Sequence, residues 1–159
     1  MDSKSVPLAQ AEAEVELAIR RVALLHAALA QTLISELGPE EGRRLVEAVI
    51  DRYGEWIGQA ARDRAQAQGL PLSLENWQED LPEMGFDLEV VGRRPLRARI
   101  NGCPLARVWQ EMGLEDLGQL YCRVDQAKYR AFNPNLTCRH EVHTLRDKSP
   151  FCELVIEET

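Results

Sequence analysis

The four cysteines of this 159-residue chain all lie between residues 103 and 152. The first 102 residues contain no cysteine and a single histidine, His26. A deprotonated cysteine is a nucleophile, and cysteine and histidine are also the usual ligands of zinc. We therefore expect any chemistry to be concentrated late in the chain, around Cys103, Cys122, Cys138 and Cys152.

Cys103 stands directly before Pro104, and proline is favoured at the first position of a helix. This order predicts that Cys103 lies at or near an N-cap. Free backbone N–H groups and the positive end of the helix dipole would lower the pKa of a thiol there. Cys103 is thus a candidate catalytic thiolate, and the alternative is a small buried apolar residue before a helix.

Cys122 and Asp125 are three residues apart in a segment predicted to be helical, so they would share one helix face. A carboxylate beside a thiol can orient a substrate amine, act as a general base or join the thiol on a metal. The alternative is a buried cysteine next to an aspartate that faces solvent. Tyr121 is placed to wall a small pocket beside this candidate catalytic pair.

A predicted strand over residues 138–145 carries a further group. Alternation places Cys138 and His140 on its inner face and turns His143 to the other side. His140 is a candidate substrate-binding residue, or a hydrogen-bonded histidine of the core. Cys152, in the last predicted strand, could approach the same interior. These residue types suit a zinc or iron site, although no CxxC or HxxxH spacing is present.

Several common motifs are missing from the sequence. It contains no GxGxxG after a strand, no Walker loop and no GxSxG elbow, which argues against nucleotide-binding and serine-hydrolase functions. Four arginines cluster in a predicted hairpin and could bind a substrate carboxylate or form a solvated face. They are Arg93, Arg94, Arg97 and Arg99.

Periodicity predicts the elements that would position these residues. Two long helices come first, followed by a short helix over residues 73–80, a hairpin (86–91 and 96–100), helices over 104–112 and 114–131, and strands over 138–145 and 151–156. The result is an α+β fold, with N-terminal helices packed on a small antiparallel sheet. We expect a tail (1–10) and one domain (11–157), with a helical part to residue 82 and a sheet and cysteine-containing part from 83. The apolar stripes expected to face the core are Val15, Ala18, Val22, Leu25, Leu29 and Leu33, then Leu45, Val49, Tyr53, Trp56 and Ala60.

Composition limits the partners. The formal net charge is −7, which disfavours nucleic acid. We found no run of about 18 apolar residues, so no membrane association is expected. The first ten residues lack the apolar segment of a signal peptide, which predicts a cytoplasmic protein. The apolar stripe of the first helix could pair with a second copy and form a homodimer.

Five ordered blocks stand in the second half of the chain: Cys103-Pro104-Leu105, Trp109-x-x-x-Gly113, Leu120-Tyr121-Cys122-x-x-Asp125, Phe132-Asn133-Pro134 and Cys152. Together they resemble the L-2-amino-thiazoline-4-carboxylic acid hydrolase family, over roughly residues 43–157. The resemblance implies an enzyme that opens a thiazoline ring to give N-carbamoyl-cysteine, or opens a related C–N/C–S heterocycle, as a hydrolase acting on a cyclic amidine C–N bond. It also implies kinship with sensor domains of the 4-vinyl reductase type, in which late cysteines and a carboxylate hold zinc.

The resemblance also implies roles for individual residues. The catalytic residues would be Cys122, Asp125 and Cys103, and Asn133 in the Asn-Pro turn would help to bind the small-molecule substrate. If a metal such as zinc is bound, the ligands would include Cys103, Cys122 and Cys152. Attack by a thiol and attack by metal-bound water both remain open. The alternative function is a sensor module that binds a small molecule or a metal.

Overall fold

Two long helices begin the fold. The computed structural model describes residues 6–78 and 81–158. Helix α1 (Leu8–Leu37) starts three residues before residue 11, where the tail was expected to end. Only Gly38 separates it from α2 (Pro39–Ala67). Gly38 has φ 83°, in the left-handed region where glycine is unstrained, and it lets the chain reverse direction there.

The predicted apolar stripes of both helices are wrong by about one position. In α1, Val22, Leu25 and Leu29 are exposed, and in α2 so are Val49 and Trp56. The buried faces consist mainly of small residues, which let helices approach closely, whereas the larger side chains remain outside. A homodimer through this outer face stays a prediction. The buried positions are Ile19, Ala23, His26, Ala27 and Ala30 in α1, and Gly42, Val46, Ile50, Gly54, Gly58, Ala61 and Ala65 in α2.

Helix α1 also has the length and apolar content of a membrane span. The exclusion of a membrane from composition therefore does not hold for this helix. In the structure it packs against α2 and against α3 (Pro104–Glu111). Core helices of soluble proteins and N-terminal signal sequences meet the same length and composition test.

The sheet contains four antiparallel strands in the order β1-β2-β4-β3, which confirms the α+β class. They are β1 (Asp87–Arg93), β2 (Leu96–Asn101), β3 (Leu136–Val142) and β4 (Phe151–Glu158). The strands of the predicted hairpin and the last strand lie close to their expected positions. The short helix expected over residues 73–80 is a 3-10 turn at Leu74–Asn76, and residues 79 and 80 lie outside the described part of the chain.

The predicted helix over residues 114–131 is in fact two helices. Helix α4 (Glu115–Tyr121) ends at Cys122, whose N–H donates to the carbonyl of Gln119, and α5 (Val124–Phe132) begins after Arg123. A final short helix, α6 (Thr144–Asp147), follows β3. Cys122 and Asp125 therefore lie on either side of a turn rather than on one helix face.

Two glycines of α2 allow helix α5 to pack closely against it. A Cβ at Gly54 would lie 2.6 Å from the Cβ of Ala127, and one at Gly58 would lie 2.1 Å from the carbonyl oxygen of Lys128. Real Cβ atoms essentially never approach backbone so closely. The close packing of α2 on α5 thus depends on glycine, and it fixes the helix that carries Asp125.

Candidate active site

A cavity of about 360 Å³ lies among α1, α3, the α4–α5 turn and the sheet. Most of the side chains proposed from the sequence line it. They are Cys103, Tyr121, Cys122, Asp125, His140 and Cys152. Cavities of roughly 300–1,000 Å³ are typical of small-molecule sites.

Asp125 is a charged residue of this cavity that pairs with both a lysine and a histidine. Its Oδ1 lies 3.1 Å from Nζ of Lys128, and its Oδ2 lies 3.4 Å from Nε2 of His140. Burial alone would raise the pKa of Asp125, but the Lys128 charge and the His140 hydrogen bond outweigh it and hold the pKa well below its usual range. Asp125 is therefore an anion that orients His140.

Cys122 lies beside this pair. Its Sγ, a ring nitrogen of His140 and a ring nitrogen of His143 all lie within 4.8 Å of one another. Burial, and secondarily the negative charge of Asp125, raise the pKa of Cys122 well above its ordinary value. Its S–H donates to the carbonyl of Gly118, 3.7 Å away. The resting group is thus a thiol that needs a base to take its proton.

His143, which strand alternation predicts to point away from this interior, lies in it. A bulge between His140 and Val142 shifts the register of β3, and His143 becomes the N-cap of α6. Its Nδ1 accepts from the N–H of Leu145 at 3.2 Å and from that of Arg146 at 3.4 Å. Burial, then the nearby His140 and Arg146, lower the pKa of His143 to about 4.

The expectation that Cys103 is an activated thiolate is wrong. Cys103 does precede α3, and the N–H groups of Ala106 and Leu105 lower its pKa as expected. Burial has the larger and opposite effect and raises the pKa of Cys103 to about 11. A thiol with this pKa stays protonated at neutral pH.

The metal ligands implied by the resemblance are only partly suited to zinc. Sγ of Cys152 is engaged by Thr144, accepting from its N–H and donating to its Oγ1, each at 3.3 Å. Within the described ranges, the group with close ligand atoms is instead Cys122, His140 and His143. Nδ1 of His143 accepts hydrogen bonds from two backbone N–H groups, so the ring proton lies on Nε2. Neither ring nitrogen then has a free lone pair for a metal ion. These donors therefore do not fit a three-ligand zinc site.

The predicted role of Asn133 in substrate binding is corrected by the structure. Asn133 does not line the cavity. Its Nδ2 donates to the carbonyl of Leu72 at 2.7 Å, and its Oδ1 accepts from the N–H of Asn135 at 2.9 Å. Its side chain holds the turn after α5.

The arginines of the hairpin also lie outside the cavity lining. Arg97 and Arg99 both pair with Glu153, at 2.9 and 3.1 Å, and Arg97 also pairs with Glu141. Their charges are compensated across the sheet by neighbouring strands. The solvated-face interpretation therefore fits these two residues better than substrate binding.

A family model described as L-2-amino-thiazoline-4-carboxylic acid hydrolase matches residues 18–156. The chain belongs to this family. The match covers nearly the whole chain, from within α1 to β4, and so includes every residue of the cavity named above. No curated protein matches the chain.

A solved structure has a similar fold. It is subunit 3 of a trafficking protein particle complex from Naegleria fowleri, covalently bound to palmitic acid. The TM-score is 0.55 with 11% sequence identity, over 90% of this chain and 96% of that chain. The similarity concerns the fold, which this member of the hydrolase family shares.

Proposed function

We propose that the protein hydrolyses a small cyclic amidine such as L-2-amino-thiazoline-4-carboxylate. The observation that carries this proposal is that Cys122, His140 and Asp125 lie close together in the lining of one cavity. A nucleophile, a base and a group that orients the base recur together in enzymes that act by covalent catalysis. The family to which the chain belongs supports the substrate class.

The product determines which bond breaks. N-carbamoyl-cysteine keeps both bonds from the former ring carbon to nitrogen and carries a free thiol. Water must therefore supply the new carbonyl oxygen, and the carbon–sulfur bond of the ring must break. This replaces the C–N cleavage that the sequence analysis expected for this substrate.

The geometry supports a two-step reaction. In the first step Sγ of Cys122 adds to the ring carbon while His140 takes the thiol proton, and the ring sulfur then leaves with that proton. The substrate is now an isothiourea attached to Cys122. In the second step water adds to the same carbon after losing a proton to His140, and Cys122 departs as a thiol to leave the urea product. Asp125 stabilises the protonated His140 in both steps.

Ring opening by the purified chain tests this proposal. We expect wild-type protein to convert the thiazoline to N-carbamoyl-cysteine, followed by mass spectrometry, and Cys122→Ala to lose activity by at least about a thousandfold. Cys138→Ala is the matched control, because Cys138 is buried but does not line the cavity. Wild-type turnover in Cys122→Ala would refute the thiol mechanism.

Treatment with a chelator distinguishes attack by the Cys122 thiol from attack by metal-bound water. The thiol mechanism predicts that prolonged treatment with a chelator leaves turnover unchanged, and that a covalent adduct on Cys122 accumulates when substrate is in excess. Activity that disappears with the chelator and returns with zinc would support the metal alternative instead.

A binding module is the second candidate function. The observation in its favour is that a thiol, Cys103, lines a largely apolar cavity in a fold similar to that of a protein covalently bound to palmitic acid. This alternative predicts that ligands bind without being converted. Binding of the thiazoline with no product after long incubation would favour it over hydrolysis.

A further inference from the structure

The cavity has two chemically different sides. The charged side is formed by Cys122, Asp125, Lys128, His140 and His143, from the α4–α5 turn, α5 and the end of β3. Most other lining residues are hydrocarbon or aromatic, and one group of them comes from α1, the segment before β1 and α3. We call this group the apolar wall, and its main members are Ile19, Val22, Phe86, Leu105 and Trp109.

The polar atoms of the aromatic residues around this wall are already used within the protein. Nε1 of Trp109 donates to the carbonyl of Ala23 at 3.0 Å. The rings of Tyr121 and Tyr53 are neighbours, with centroids 6.1 Å apart, and burial followed by the influence of Tyr53 raises the pKa of Tyr121 well above its ordinary value. Water against such a surface finds few partners, and apolar cavities of this kind bind apolar groups instead.

The size of the cavity points the same way. A thiazoline carboxylate is one five-membered ring with two small substituents. Its amidine can bind the carboxylate of Asp125, which belongs to the charged side. The cavity of about 360 Å³ falls in the range that holds drug-sized ligands. The ring would leave the apolar wall without a contact.

We propose that the substrate is an amphiphile, in which a cyclic amidine head at the charged side carries a hydrocarbon substituent that lies on the apolar wall. This inference rests on the proposed function, because the head is the group that the enzyme opens. The wall contributes affinity and excludes water, while the charged side does the chemistry. Burial of hydrocarbon should strengthen binding by about fourfold per methylene.

Two series of compounds test the proposal on the full chain. One carries alkyl groups of increasing length on the exocyclic nitrogen of 2-amino-thiazoline-4-carboxylate, and the other carries them as alkyl amides of its carboxylate. Calorimetry should show affinity that rises by about threefold to fourfold per methylene in one series until the wall is covered. Affinity that does not change with chain length in either series overturns the proposal.

A pair of variants locates the tail. Val22 lines the cavity and is 40% exposed, so tryptophan can be placed there without disturbing the core. Val22→Trp should abolish the gain with chain length. Leu25→Trp is the matched control, because Leu25 is on the same helix, is 72% exposed and does not line the cavity, and it should keep the full gain. An equal gain in both variants would contradict the assigned position of the tail.

A fatty acid of matched chain length tests whether the head is recognised. Binding as tight as that of the best amidine would mean that a plain lipid is the ligand, which overturns the proposal. Ring opening of the parent compound is measured in parallel. Turnover without a chain-length effect refutes only the amphiphile, whereas a chain-length effect without turnover of any compound supports the amphiphilic ligand and refutes hydrolysis.

Discussion

The apolar wall and the charged side of the cavity are built in different ways. Most of the apolar wall belongs to helices, α1 and α3, whose packing holds it in shape. The charged side consists of residues from the α4–α5 turn, α5 and the segment at the end of β3, where Asp125, His140 and His143 are each held by a specific hydrogen bond or ion pair. Shape in this protein thus comes from packing, whereas chemistry comes from a few directed contacts.

This difference has a consequence for robustness. A substitution on the apolar wall changes how much hydrocarbon fits, which varies gradually with volume. A substitution on the charged side removes a partner that no neighbour replaces, so its effect should be abrupt. Asp125 and His143 probe the directed contacts of the charged side, and Gly58 probes helix packing. Cys103 is a lining residue outside the charged side, and the smallest effect is expected there.

Replacing Asp125 should have the largest effect. Asp125→Asn keeps the shape but removes the charge that orients His140 and stabilises its protonated form. We expect kcat to fall by about a thousandfold with a smaller change in KM, measured by steady-state kinetics at a temperature where the variant is folded. Asp51→Asn is the control, since Asp51 pairs with Arg123 at 2.8 Å and does not line the cavity. A loss below tenfold would contradict the role of the Asp125 charge.

Acid should destabilise the protein through His143. Its pKa is about 4 in the folded state and about 6.5 when unfolded, so the unfolded state binds the extra proton first. The contribution of His143 is complete above pH 6.5 and is lost as the pH falls toward 4. Urea unfolding should show a loss of about 2 kcal/mol from this residue between pH 7.5 and pH 5.

His143→Asn isolates that contribution, because asparagine also caps helices but does not titrate. The variant should lose less stability than the wild type over the same pH interval. Equal pH dependence in the two proteins would show that His143 titrates normally.

Replacing Gly58, where helix α2 packs closely on α5, should also lower the free energy of unfolding. Alanine normally stabilises a helix relative to glycine by about 1 kcal/mol. At Gly58 the added Cβ would meet the carbonyl of Lys128, so Gly58→Ala should instead lower the free energy of unfolding by about 2 kcal/mol. The exposed neighbour Gln59→Ala should change it by less than about 0.5 kcal/mol. A stabilised Gly58→Ala would refute the close packing.

The smallest effect is expected at Cys103. Its thiol lines the cavity but does not belong to the close group of Cys122, His140 and His143, in which a base adjoins the thiol, so Cys103→Ser should change kcat/KM by less than about threefold. A loss of a hundredfold or more in the ring-opening assay would make Cys103 the nucleophile in place of Cys122.

The sheet and α3 could be predicted from the sequence because their signals are local. Alternation with a period of two brought Cys138 and His140 to the inner side of β3, and Pro104 marks the start of α3. All six residues that line the cavity and were proposed beforehand come from such local patterns or from the family blocks.

The rest could not be predicted, for physical reasons. The buried faces of α1 and α2 depend on small side chains, such as Ala27 and Gly54, which carry little apolar signal. The turn at Cys122 contains neither glycine nor proline. The inward direction of His143 depends on a bulge in β3, which arises from pairing with β4 and is invisible in a single strand.

The position of Trp109 gives the protein a built-in optical reporter. Its indole is 1% exposed, donates to a backbone carbonyl and forms part of the apolar wall. The chain has three tryptophans, and Trp56, at 67% exposure, faces solvent far more than Trp109 does. The emission of Trp56 should therefore lie at a longer wavelength than that of Trp109. Trp77 is also partly buried but does not line the cavity. In a Trp77→Phe variant, fluorescence at the blue edge of the spectrum thus reports on what enters the cavity, even when nothing is converted.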